Sequence, residues 1–136
     1  MQKIYSKIED GKLLHIINRL EDIEDRTDII PSKNFIQCAT LKMENGKPFK
    51  PHKHIKKQRV YEQQIAQESW VVIKGRVKFY FYDLDDKLLD TIILEQGDAS
   101  FTLEGGHNYE ILEDDTIVYE YKTGPYEGQQ KDKVFI

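Results

Sequence analysis

One cysteine, Cys38, is all the chain has, so a disulfide framework is excluded and a reducing compartment is permitted. Cys38 sits in an apolar strand pattern with no histidine near it in sequence, which reads as a small packed side chain and not as a nucleophile. Basic charge is not in excess: 20 Lys and Arg against 24 Asp and Glu give a formal net charge of -4, without the basic face a nucleic-acid partner requires. No apolar run is long enough for a membrane span, and Met1-Gln2-Lys3-Ile4-Tyr5-Ser6-Lys7 does not resemble a signal peptide, so a cytoplasmic location and no membrane partner are expected. Internal repeats and low-complexity linkers are missing, and helical periodicity is almost absent.

What remains is a chain of 136 residues, 32% charged and 39% apolar, enough for a single domain over 1–136 with one core. Short β-prone runs alternate with turn signals, which predicts an all-β sandwich or barrel. Runs at 3–8 and 13–17 flank Glu9-Asp10-Gly11-Lys12 and form an expected N-terminal β-hairpin, in which His15 is a packing or surface residue. The acid-rich stretch 18–27 reads as one helical turn or an irregular connection. Further strands are expected at 35–43, at the segment carrying His52 and His54, from Glu68 to Gly75, and at 76–82, 88–94, 99–103 and 116–122. Asp83-Leu84-Asp85-Asp86-Lys87 is a turn without the spacing of a calcium loop. The tail 123–136 ends in Val134-Phe135-Ile136, apolar enough to pack down.

Chemistry concentrates between Gly46 and Gly75 and at Gly105-Gly106-His107. In an extended strand His52 and His54 project to one side about 6.5 Å apart, so two imidazoles can share an ion. Glu68 opens the next apolar run and His107 a third. Three neutral imidazoles and a carboxylate suit one divalent transition metal, with manganese, iron, nickel, cobalt and zinc all open. Glu62 rivals Glu68 as the carboxylate ligand, but Glu68 keeps a six-residue interval to Gly75 and starts a strand.

Other residues have a bland and a functional reading side by side. Gln37 is a hydrogen-bonded core amide or a substrate contact, and Trp70, on the Glu68 face, is core or a cavity wall. Lys56 and Arg59, in the long connection 55–67, belong to a solvated charged face or to a lid that meets an anionic substrate. Tyr109 shares the His107 face and is a candidate proton-moving hydroxyl. Glu120 is a further acid near the cavity or a charge satisfied by a basic neighbour.

The order of these residues resembles the two-part motif of the cupin superfamily. Gly46, His52-Lys53-His54, Glu68 and Gly75 follow its first block, with a longer gap before the glutamate; Gly97 to Gly105-Gly106-His107 follows its second, without the proline and with the histidine one place early. The resemblance covers roughly residues 35–122. Gly105-Gly106-His107 and Gly124-Pro125-Tyr126 are also similar to small cupins linked to sugar and surface-polysaccharide biosynthesis. It implies a double-stranded β-helix, or cupin jelly roll, holding the ion at His52, His54, Glu68 and His107. It further implies an isomerase-, epimerase- or lyase-like enzyme acting on a sugar or nucleotide-sugar, with a non-catalytic sugar- or acid-binding cupin and an iron-dependent dioxygenase as alternatives. A homodimer, paired through the N-terminal strands 1–34, is likewise an implication of the resemblance.

Overall fold

Strand β6, Val77–Tyr82, shows how the pattern becomes a layer: Val77, Phe79 and Phe81 alternate onto one face and are fully buried, while Lys78, Tyr80 and Tyr82 lie on the other face, partly exposed. The structure, a computed structural model, describes residues 1–24, 26–54, 65–124, 128, 130 and 133–136. Among them the remaining strands are β1 Gln2–Tyr5, β2 Leu13–Asn18, β3 Thr27–Asp28, β4 Ala39–Thr40, β5 Glu68–Lys74, β7 Leu88–Leu94, β8 Ala99–Thr102, β9 Gly106–Ile111 and β10 Ile117–Lys122, with a 3-10 turn at Leu20–Asp22.

A five-stranded sheet runs β1-β2-β8-β5-β10, a three-stranded sheet β7-β6-β9, and β3 and β4 form a short pair. Every pairing is antiparallel. The fold is therefore all-β, and among the described residues no helix is long and apolar enough to cross a membrane.

The core lies between the two larger sheets. Ile4, Ile17 and Val72 from one meet Val77, Phe79, Phe81, Ile92 and Leu94 from the other, and Trp70, Tyr109 and Val118 pack at the margin. A second cluster, Ile16, Ile29, Ile30, Ala99, Phe101 and Leu103, covers the opposite face of the five-stranded sheet, with Ile36, Cys38 and Val71 against it. Strands β2 and β8 are thus covered on both sides, which is why their burial does not alternate.

The segment over the second cluster is the expected strand 35–43, of which only Ala39–Thr40 is a strand. Its backbone finds other partners: Ile29 N–H donates to Cys38 O, and Ile36 N–H to the side chain of Gln67. Gln67, almost fully buried, also donates to Leu103 O and to Asn34 Oδ1, so one amide stitches this strap to the sheet. The expected strand at His52 and His54 is also corrected, to exposed irregular chain. Pro48 and Pro51 each remove a ladder donor there, and none of the sheets pairs with it. The hairpin at Gly11 (φ +69°) and the acid-rich 3-10 turn stand as the sequence indicates. His15 is a buried packing residue, its ring 4.7 Å from that of Phe81.

Candidate functional site

Glu68 opens β5 in one sheet, and His107 and Tyr109 occupy alternate positions of β9 in the other. Register brings them together: β9 pairs with β6 so that His107 faces Phe81 and Tyr109 faces Phe79, placing both rings toward the space between the sheets. Glu68 Oε1 accepts a hydrogen bond from the Tyr109 hydroxyl at 2.8 Å and lies 3.3 Å from His107 Nε2. Its other oxygen, Oε2, lies 3.5 Å from Lys122 Nζ. Lys122 stands directly across from Glu68 in the β5–β10 ladder, and Glu120 across from Trp70. Lys122 Nζ also pairs with Glu120 Oε1 at 2.8 Å, and Glu120 Oε2 accepts from Trp70 Nε1 at 3.1 Å. The indole of Trp70 stacks on Tyr109, centroids 3.7 Å apart, with Phe79 edge-on to both.

Charge follows from this packing. Burial raises the Glu68 carboxyl, but the hydrogen bond and charge of His107, the Tyr109 hydroxyl and Lys122 outweigh it and hold the group at about 2, so Glu68 is a buried carboxylate at neutral pH. Burial first, then the charge of Glu68 and the hydrogen bond to it, push the Tyr109 phenol far above its usual range. Tyr109 therefore stays protonated and acts as a donor. His107 Nδ1 is buried and finds no hydrogen-bond partner among the described residues.

These groups floor a cavity of about 510 Å³ that Thr102, Asn108 and the segment 133–136 help to enclose. Gly105-Gly106 makes the approach possible. At Gly105 the backbone has φ +82°, and a Cβ would fall 2.6 Å from Tyr82 O and 3.3 Å from His15 Nε2. Behind it, His15 Nε2 lies 3.2 Å from Tyr82 O and His15 Nδ1 3.2 Å from Thr102 Oγ1. The carbonyl can only accept, so Nε2 carries the proton and Nδ1 accepts from the threonine hydroxyl.

The four metal ligands expected from sequence fall into two pairs. Glu68 and His107 are in the cavity, whereas His52 and His54 are exposed, their rings 5.6 Å apart, and neither lines it. Among the described residues no three His, Cys, Asp or Glu side chains are grouped to hold an ion. The donor chemistry, with a spare nitrogen on His107, suits a transition metal, but the described arrangement does not converge on one point. Gln37 is exposed, bonds Pro31 O and Asn34 O, and does not line the cavity. Trp70 and Glu120 lie behind Tyr109 instead of on the cavity wall. Lys56, Arg59, Glu62, Pro125 and Tyr126 lie outside the described residues.

Lys122 and Thr102 escaped the sequence reading. Lys122 is recognisable only once the β5–β10 register puts it opposite Glu68. The tail was expected to pack down; Val134 and Phe135 are instead 89% and 82% exposed at the cavity rim. No family model, no curated protein and no solved structure matches the chain.

Proposed function

We propose that this chain is a cupin-type jelly-roll domain whose cavity receives a sugar or a similarly hydroxyl-rich ligand at Glu68, His107 and Tyr109. One observation carries the reading: a buried, ionised carboxylate receives the Tyr109 hydroxyl and neighbours an imidazole at the floor of a cavity. Convergent polar groups in such a recess are what orients a small ligand, and about 510 Å³ falls within the usual range for one. In the enzymatic form of this reading, an isomerase, epimerase or lyase, His107 is the proton-moving group, because its Nδ1 has no hydrogen-bond partner among the described residues and Glu68 orients the ring from Nε2. Tyr109, held protonated, supplies a hydrogen bond and no base. Glu120 is engaged by Trp70 and Lys122, which supports its reading as a charge satisfied by a basic neighbour.

A divalent metal at His52, His54, Glu68 and His107, as the motif resemblance implies, is a separate form of the proposal, and it requires the exposed His52 and His54 to come to Glu68 and His107. When bound, such an ion supplies Lewis-acid polarisation of a ligand oxygen. The test is elemental analysis of the purified protein, joined to a thermal-shift screen of sugars, nucleotide-sugars and keto acids. Stoichiometric metal that His52→Ala and His107→Ala each abolish supports the four-residue site. Metal-free protein stabilised by sugars, with the stabilisation lost in His107→Gln, supports the cavity without the ion. Failure of every sugar to stabilise removes the ligand class.

A second reading, a binder without turnover, is favoured by the way Tyr109, His107 and Lys122 hold Glu68 as a fixed acceptor with acceptor capacity left for a ligand hydroxyl. Product by mass spectrometry after incubation with a stabilising sugar separates the two. Ligand-dependent oxygen uptake with ferrous iron tests the dioxygenase alternative, and sedimentation tests the homodimer.

A further inference from the structure

The cavity has two chemically distinct halves. Glu68, Thr102, Glu104, His107 and Tyr109 make one polar; Val134, Phe135 and Ile136, next to the charged Lys133, make the other mainly apolar. The apolar half is unusual in being left in water, since Val134 is 89%, Phe135 82% and Ile136 64% exposed. It approaches the polar half closely at Gly106. A Cβ on Gly106 would fall 2.7 Å from Ile136 Cδ1 and 3.1 Å from Tyr82 Cβ, so Ile136 lies on bare backbone next to His107.

Three consecutive apolar side chains gain free energy in proportion to the area they remove from water, and these three border the cavity where a ligand would sit. A ligand made only of hydroxyls satisfies the floor and leaves this wall wet. One that joins a hydroxyl-rich head to an apolar group covers both.

We propose that the cavity takes an amphipathic ligand: a sugar-like head on Glu68, His107 and Tyr109, carrying an apolar substituent that docks on Val134, Phe135 and Ile136 and is selected by them. This rests on the reading of the cavity as a sugar site. The apolar substituent is an aromatic ring or an alkyl chain; both offer the shared chemistry, and the probes separate them.

The experiment titrates the full chain with methyl, p-nitrophenyl and octyl glucoside, the last below its micelle concentration, by calorimetry. The expected result is that the aryl or the octyl glucoside binds about tenfold or more tighter than the methyl glucoside, the stronger of the two identifying ring or chain. A variant carrying Val134→Ser, Phe135→Ser and Ile136→Ser is expected to bring all three probes within about twofold of one another while the methyl glucoside affinity is kept. These side chains are exposed, so folding is expected to be unaffected, and Phe135→Ser alone serves as a milder variant with a partial effect. Equal affinities in the parent chain, or an undiminished preference in the triple variant, overturn the selecting wall. Unchanged binding of all three probes in Glu68→Gln and His107→Gln overturns the underlying site instead, and no binding by any probe overturns both.

Discussion

Trp70 lies flat against Tyr109, ring centroids 3.7 Å apart and planes 23° from parallel. The stack helps set where the phenol oxygen falls, which is 2.8 Å from Glu68 Oε1. A contact between two aromatic residues of different sheets thereby orients the carboxylate in the cavity.

Tyr109→Phe keeps the stack and deletes the hydroxyl. It is expected to cost about 1.5–3 kcal/mol, the range for a hydrogen bond to a charged group, and to move the Glu68 carboxyl up from about 2. Urea unfolding and a carbon-detected NMR titration of the glutamates check both numbers.

Lys122→Met removes the cation from between Glu68 and Glu120. Because Lys122 is largely buried, the expected loss is about 1–3 kcal/mol, reduced when Glu120→Gln is added to the same chain. A double-mutant cycle in denaturant measures the coupling, and additive losses would show that the pair does not interact.

Acid should weaken the fold in two stages. Burial, only partly offset by the hydrogen bond to Tyr82, lowers His15 from 6.5 to about 4. The unfolded chain therefore binds that proton first, so stability is complete above pH 6.5 and falls as the pH drops toward 4, by about 3 kcal/mol at roughly 1.4 kcal/mol per pH unit. Glu68 adds a loss in the same direction between 4.5 and about 2. Denaturation midpoints from pH 8 to 4 are expected to slope less in His15→Gln than in the parent protein.

Gly105→Ala places a methyl 2.6 Å from a backbone oxygen at φ +82°, where neither the carbonyl nor the dihedral yields cheaply. A loss of about 1–3 kcal/mol is expected, read as a lowered Tm. A variant as stable as the parent would mean the turn can rebuild itself.

The strand with clean alternation was legible in sequence: Val77–Tyr82 carries its period of two, whereas Leu88–Leu94 is marked by its apolar residues and the turns that bound it. So was the shared face of His107 and Tyr109, two residues apart in one strand, whereas their approach to Glu68 depends on the packing of two sheets that alternation does not encode. The stretch 35–43 misled because its apolar residues, Ile36 and Cys38, face a core without a ladder, and apolar spacing does not distinguish a strap from a strand. Lys122 stayed hidden because charge opposite charge depends on a pairing that no local pattern encodes.

Gln67 and Glu68 are neighbours whose side chains leave the strand on opposite sides, one clamping the outer cover and the other facing the cavity. One peptide unit thus joins the residue that clamps the outer cover to the residue that faces the cavity, so a substitution at Gln67 that loosens the cover acts one residue away from the acid.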